Sequence, residues 1–339
     1  MHATYILFPE KNRVSVERET LPDTPLEPLE VLVRNETSIV SAGTELARLS
    51  GLEQATSFPL RPGYGCIGRI EAQGAGVTDF TVGQRIFYAG KHASVNRFKH
   101  GQDHQWGRLY PVPEGLDPVD GVVGCMAQIA MTAPNVTQLD LGDRVAVFGL
   151  GLVGNLAAQL YALRGANVLA LDPVPARCAQ ARACGLTDAV EAPPAEQVAA
   201  VKRYAGEVGA AVCVDAVGHS AVIQQAVAAC APFGQVVLLG TPRAPHQTDL
   251  TPMLLDIHRK GLVVRGAHMW RLPAVPARGM KQDVAWAFAT IFGLLRDGKL
   301  IVRPLLSHVV KPDAVPAAYR GLQHEKDRYT GVVIDWREA

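Results

Sequence analysis

Residues Arg144-Val-Ala-Val-Phe-Gly-Leu-Gly-Leu-Val-Gly154 decide the fold of this chain. An apolar run enters Gly149-x-Gly151-x-x-Gly154. An Ala/Leu-rich stretch that suits a helix follows, and Asn167-Val-Leu-Ala-Leu-Asp172 supplies a second apolar run. Strand, glycine turn, helix, strand and terminal acid form the context in which this glycine pattern binds a dinucleotide. Gly149 permits the tight turn, Gly151 lets the backbone approach the pyrophosphate, and Gly154 lets the helix pack on the sheet. The phosphates then meet free N–H groups around Leu150, Leu152 and Val153, at the positive end of the helix dipole.

Asp172 stands 18 positions beyond Gly154. A carboxylate there accepts the adenosine ribose hydroxyls and repels a 2′-phosphate, so we expect NAD rather than NADP. Arg177 is expected against the adenosine or on a ribose hydroxyl. Val217 ends the fourth strand, at the carboxyl edge. Gly240 and Thr241 end the fifth, where the nicotinamide half belongs.

Working outward, apolar strand patterns at 144–149, 167–172, 188–192, 211–217, 235–240 and 262–267 alternate with helical stretches at 153–164, 175–184, 195–206 and 220–232. Such alternation predicts an α/β doubly wound parallel sheet of the Rossmann type. The link between the fifth and sixth strands is longer and less regular. The residues ahead of Arg144 need a domain of their own. Residues 1–120 are β-rich, with Glu30-Val-Leu-Val-Arg34, Cys66-Ile-Gly-Arg-Ile-Glu71 and Arg85-Ile-Phe-Tyr88 broken by Gly and Pro, which suits a small barrel or sandwich. Residues 115–139 look helical, as do 283–297, and 331–336 read as a closing strand.

The chain has 339 residues, 48% hydrophobic and 19% charged, enough for two domains. A net charge of +1 gives no reason to expect a nucleic acid or an anionic membrane as partner. No apolar run approaches the about 18–20 residues that span a bilayer. The first residues read as a strand rather than a signal peptide. Cys66, Cys125, Cys178, Cys184, Cys213 and Cys230 form no Cys-x-x-Cys pair and are expected as buried, reduced thiols. The sequons at Asn35 and Asn135 are taken as chance, and a cytoplasmic location is expected.

With these residues in view, the whole chain resembles the medium-chain dehydrogenase/reductase superfamily, the alcohol-dehydrogenase-like proteins. The resemblance rests on the glycine fingerprint, Val40-Ser-Ala-Gly-Thr-Glu45, Pro62-Gly-Tyr-Gly-Cys-Ile-Gly68, Gly74-x-Gly76-Val77, Val82-Gly-Gln-Arg-Ile86 and Thr132-Ala133. It implies a β-rich GroES-like catalytic domain (1–135, completed by 269–339) around a Rossmann domain (136–268). It also implies a cleft between the two, Thr132 near the cofactor, and homodimers or homotetramers.

The family's catalytic zinc uses a Cys, a His and a third ligand at positions that here read Ala42, Tyr64 and Gln128. Zinc takes thiolate, imidazole or carboxylate, so we expect no metal. Gly65 replaces the supporting glutamate, and the cysteine lobe that holds a structural zinc is missing after Gly90-Lys-His-Ala93. Thr44 matches the hydroxyl that touches the substrate oxygen, but the histidine three residues on is Ala47. Three routes for the proton stay open: Tyr64, with Lys91 or the oxidised nicotinamide as nearby cation; His92; or water and the substrate itself. Tyr64 also reads as a plug filling the vacated zinc volume. Glu45, Gln128, His104 and Trp270 are expected around the substrate. His100 and His104 have helical i, i+4 spacing, but Gly101 between them argues for a loop.

We therefore expect a zinc-independent, NAD-dependent oxidoreductase interconverting a secondary alcohol and a ketone. Its small-molecule substrate is expected to be a sugar, cyclitol or other ring-bearing alcohol. The Ser41–Glu45 and Pro62–Tyr64 segments are similar to a subgroup that includes the hydroxyethyl-bacteriochlorophyllide dehydrogenases. Two rivals remain: a quinone or enone reductase, against which Asp172 speaks, and a non-catalytic NAD-binding protein, against which Thr44, Tyr64, Lys91 and His92 speak.

Overall fold

The computed structural model describes residues 1–53, 56–102 and 104–338, and of Gln105 only the backbone. The front of the chain carries strands β1 (His2–Leu7), β2 (Ser15–Thr20) and β3 (Glu30–Ile39), then helix α1 (Ala42–Leu49). Strands β4 (Cys66–Gln73), β5 (Arg85–Tyr88), β6 (Val95–Lys99) and β7 (Leu109–Pro111) follow, then helices α2 (Pro118–Gly121) and α3 (Gly124–Val136). The middle alternates β8 (Arg144–Phe148), α4 (Leu152–Leu163), β9 (Asn167–Asp172), α5 (Pro175–Ala183), β10 (Ala189–Glu191) and α6 (Pro194–Ala205). It continues with β11 (Ala210–Asp215), α7 (Ser220–Ala229), β12 (Cys230–Leu238), α8 (Thr251–Lys260) and β13 (Val263–Gly266). The last part holds α9 (Val284–Arg296), β14 (Leu306–Val310), α10 (Val315–His324) and β15 (Gly331–Asp335).

These elements form two compact units. The first is Met1–Cys125 with Leu272–Lys299 and Leu306–Ala339; the second is Met126–Arg271 with Leu300–Leu305. The second unit is a parallel sheet in the order β10-β9-β8-β11-β12-β13. That is the doubly wound order, which reverses direction between β8 and β11 and opens a crevice at the strands' carboxyl ends. Val145, Ala146, Val147 and Phe148 are all fully buried, as expected of a strand covered by helices on both faces. The irregular link before the sixth strand contains α8.

The second unit begins at Met126, ten residues ahead of the expected start at 136. Hydrogen bonds draw α3 into it: Thr132 Oγ1 donates to the Ala267 carbonyl at 2.8 Å, and the Arg164 guanidinium donates to the Pro134 carbonyl. Residues 300–305 join it through Gln159, whose side chain bonds the Ile301 N–H at 2.8 Å and its carbonyl at 2.9 Å.

The first unit is built on a sheet in the order β14-β15-β3-β4-β5-β7, with β6 also paired to β3 and β1-β2 as a separate ribbon. β15 lies antiparallel to β3 with Val333 opposite Ile39, so the chain's end completes the sheet of its beginning. Ile6, Phe8, Leu49, Tyr319, Ile334 and Trp336 share one core, gathering both ends of the chain. All six cysteines are buried and free. Among the described residues no helix is long and apolar enough to cross a membrane.

Candidate active site

In the second unit the glycine turn has the form its spacing demands. Gly149 has φ +94°, and a Cβ there would stand 2.6 Å from Val217 Cγ2. A Cβ on Gly154 would stand 2.0 Å from the Gly149 carbonyl oxygen. A Cβ on Gly151 meets nothing within 4 Å, so the face reserved for pyrophosphate is open. Gly151 is also the N-cap of α4 and offers no side chain to its first-turn N–H groups. Leu152 and Val153 carry those groups, whereas the Leu150 N–H, expected to be free for phosphate, lies ahead of the helix and is donated to Asp172. At the neighbouring strand ends Gly218 and Gly240 approach so closely that a Cβ on Gly240 would lie 2.1 Å from Gly218 N. Val217 and Thr241 are exposed there. These residues fit a nicotinamide dinucleotide.

Two further expectations about this site, those for Asp172 and Thr132, need correction. Asp172 is not an outward carboxylate. It is 1% exposed, with Oδ2 accepting the Leu150 N–H at 2.7 Å and Oδ1 the Val174 N–H at 2.9 Å. Arg177 turns onto this acid, with Nη1 3.5 Å from Oδ2. Thr132 is buried, and its hydroxyl is spent on the Ile129 and Ala267 carbonyls rather than held ready for a cofactor. We had not singled out Asp215. It is buried at the end of β11, accepts the Val217 and Gly218 N–H groups at 2.9 and 3.0 Å, and so shapes the turn beneath Val217.

In the first unit the helix α1 gathers the other candidates. Ser41 stands at its N-cap position, and Glu45 reaches back to accept the Ser41 N–H at 2.9 Å. The Tyr64 hydroxyl donates to Ser41 Oγ and is also hydrogen bonded to Thr44. The ring packs edge-on against Trp106 at 5.0 Å. Burial pushes the Tyr64 phenol far above its ordinary range, with the nearby Cys125 and Glu45 adding to the shift. Tyr64 is thus held as a neutral donor, not as a phenolate.

His92 is completely buried, against the expectation that it lines a cleft. Its Nδ1 bonds Ser38 Oγ at 2.8 Å and its Nε2 lies 3.1 Å from Glu45 Oε2, so neither ring nitrogen is left for a substrate. Tyr319 donates its hydroxyl to Glu45, and Trp336 Nε1 donates to Ser38 Oγ at 2.9 Å. Burial alone would raise the Glu45 pKa. The charge and hydrogen bond of His92, the Tyr319 hydroxyl and the Ser41 N–H reverse that and hold it below its ordinary value. Glu45 therefore serves as a buried anchor rather than a substrate ligand. Lys91 is exposed, and its pKa is lowered by partial desolvation and by the charge of Arg48, with Glu45 acting in the opposite direction.

The remaining candidates are dispersed. Gln128 belongs to the second unit and is buried with Nε2 lacking a hydrogen-bond partner. Trp270 is 72% exposed and packs edge-on against His268 at 4.9 Å. His104 is exposed on a loop and bonds Gln102. His100 is buried instead, accepting the Leu109 N–H at 3.2 Å and lying 3.3 Å from Asp79, so the two histidines form no helical pair.

None of the side chains at Ala42, Tyr64 and Gln128 is a thiolate, imidazole or carboxylate, the donors that zinc takes. The neighbouring thiols do not compensate: burial pushes both Cys66 and Cys125 well above their ordinary pKa. Among the described residues no three His, Cys, Asp or Glu side chains are grouped closely enough to hold a metal ion.

Comparison with known proteins agrees with this architecture. Residues 27–132 match the alcohol dehydrogenase GroES-like domain, and residues 153–284 match the zinc-binding dehydrogenase domain. The chain is 27% identical over 270 residues to 5-exo-hydroxycamphor dehydrogenase of Pseudomonas putida, covering 66% of this chain and 73% of that one. It is 29% identical over 177 residues to D-guloside 3-dehydrogenase of Escherichia coli, covering 50% and 48%. A protein from Sinorhizobium meliloti 1021, solved bound to NADP, superposes with a TM-score of 0.80 over 99% of both chains at 20% identity. This chain belongs to the medium-chain dehydrogenase/reductase superfamily. It is an oxidoreductase of that superfamily, with a fold made for a nicotinamide cofactor.

Proposed function

We propose that this protein is an NAD(H)-dependent oxidoreductase that interconverts a secondary alcohol and a ketone on a ring-bearing metabolite, without a catalytic zinc. The observation that carries this reading is the neutral Tyr64 phenol, held by Ser41 and Thr44 where the family places a metal ligand. The bound nicotinamide gives or takes the hydride. The chain's own part is the proton. In reduction Tyr64 Oη turns its proton from Ser41 Oγ to the carbonyl oxygen as the hydride arrives and takes a replacement from water through the Ser41 hydroxyl; in oxidation the same transfers run in reverse, so no free phenolate has to accumulate. Glu45 and His92 act at one remove: they lock the first turn of α1, from which Ser41 and Thr44 project. Two relatives named for ring-bearing substrates, hydroxycamphor and a guloside, support the substrate class.

The test is a turnover assay on protein dialysed against chelator and checked for metal. NADH oxidation with a panel of cyclic ketones and keto-sugars should persist at substoichiometric zinc. Tyr64→Phe should lower kcat by about 10²–10⁴-fold with little change in NADH affinity. One tightly held zinc per chain that is needed for turnover would sink the proposal. So would a fully active Tyr64→Phe.

A further inference from the structure

One positive patch in the first unit has no duty in the proton chemistry. Thr44 and Arg48 are i and i+4 on α1, so they share a helix face, about 6 Å apart along its axis. Thr44 holds the Tyr64 hydroxyl, which puts Arg48 one turn from the proton donor. Lys91 comes to the same place from the loop after β5. Its segment lies against the residue before Tyr64: the His92 N–H donates to the Pro62 carbonyl at 3.0 Å, and a Cβ on Gly63 would stand 3.0 Å from the Lys91 carbonyl carbon. The Cys66 thiol and the Asn96 amide donate to the Lys91 carbonyl at 3.4 and 3.0 Å, so its backbone is fixed. Arg48 is half-buried, and its charge acts on Lys91, which is partly desolvated. Of the nearby acids, Glu53 takes Arg48 Nε at 2.7 Å, and Glu45 is spent on His92 and Tyr319. Among the described residues neither Lys91 Nζ nor the Nη groups of Arg48 meet an acceptor.

We propose that Lys91 and Arg48 form a subsite for an anionic substituent of the substrate, a carboxylate or a phosphate on the ring that carries the reacting oxygen. The inference rests on the proposed alcohol–ketone function and narrows its substrate to ring alcohols that carry a negative charge. Tyr64 takes the reacting oxygen, and a single ring spans the helical turn from Thr44 to Arg48. The guanidinium presents its two Nη groups as a planar fork, while the ammonium adds a point charge from the β5 loop. Glu53 occupies Nε and so fixes the direction of the fork. An anion there relieves the repulsion between the two cations and receives charge-assisted hydrogen bonds from both. A neutral ring leaves them unpaired, so the patch selects by charge rather than by shape.

The probes are three cyclohexanones substituted at the carbon opposite the carbonyl, with a carboxylate, a phosphate ester or an uncharged carboxamide. Turnover of each is measured with NADH. Binding of each is measured by calorimetry on the full chain loaded with NAD, which cannot reduce a ketone. The wild type should favour the carboxylate or the phosphate over the carboxamide by about tenfold or more, in kcat/KM and in affinity, and the better of the two names the group. Lys91→Ala and Arg48→Gln should each lower that preference by about tenfold, through KM rather than kcat. Lys91→Arg should recover part of the loss, and raising salt should weaken the anionic probes alone. Absence of binding by any probe, or equal binding of charged and uncharged probes, would overturn the inference. So would a Lys91→Ala protein that changes all three probes equally. A loss of NADH affinity in Lys91→Ala that matches the loss of probe binding would assign the cations to the cofactor and overturn it too. Charge-selective binding with no turnover of any probe would overturn the proposed function instead and leave this subsite standing.

Discussion

The two sites use opposite materials. In the Rossmann unit the site is mainly backbone. Gly149, Gly151 and Gly154 act through the side chains they lack, and the acids Asp172 and Asp215 are turned inward to hold the loops. In the GroES-like unit it is side chain: Tyr64, Ser41, Thr44, Glu45, His92 and Tyr319, tied together by hydrogen bonds in a buried space. The geometry of a backbone site is set locally, by residues close in sequence. A side-chain site must be held in shape by contacts between residues distant in sequence, and the buried Glu45 with its three partners supplies them.

The sharpest way to break this comparison is to remove the anchor. Glu45→Ala strips the anion from His92, Tyr319 and the Ser41 N–H at a place water does not reach. Breaking a buried pair from one side costs about 3–5 kcal/mol. Three of the four tryptophans, Trp106, Trp286 and Trp336, lie in the first unit, so urea unfolding followed by tryptophan fluorescence reports mainly on it. A change below about 1 kcal/mol would show the network to be ornamental. The pH dependence has a fixed sign. The folded pKa of Glu45 is depressed, so its contribution is complete above its ordinary 4.5 and disappears as pH falls through the lower folded value. Wild type should lose stability over that acid range more steeply than Glu45→Ala.

The counterpart in the Rossmann unit is Gly154→Ala. The new Cβ would fall 2.0 Å from the Gly149 carbonyl, so α4 must move off the turn. Overpacking of this kind costs about 1–3 kcal/mol. NADH affinity should fall with it, because the first-turn N–H groups shift. Titration of NADH fluorescence checks this; an unchanged affinity would mean that the helix start does not set the phosphate site.

How much of each site was legible follows from the same contrast. The glycine spacing and the strand–helix alternation predicted β8 to β13 in order, because backbone rules act within a few residues. The parts missed depend on distance in sequence. Nothing near Glu45 announces Tyr319, 274 positions away, or shows that His92 is enclosed by Ser38 and Glu45. Asp172 was located from its spacing, yet its inward turn depends on Leu150 and Val174 N–H groups whose direction no periodicity reveals. Ser41 had a local signal that went unused: a serine immediately before a helix is a natural N-cap position.

Thr132 offers the finest test, since sequence and structure give it different duties. As a cofactor contact, its loss would weaken NADH. As a buried pin between α3 and the end of β13, its loss would weaken only the fold. Thr132→Val keeps the shape and deletes the hydroxyl that donates to the Ala267 carbonyl at 2.8 Å. One net hydrogen bond is worth about 1 kcal/mol, somewhat more when the acceptor left behind is buried. Thermal unfolding should therefore shift modestly downward while NADH affinity stays within about twofold. If affinity instead falls tenfold at unchanged stability, Thr132 belongs to the cofactor site, and side chains share with the backbone the work of binding in this unit.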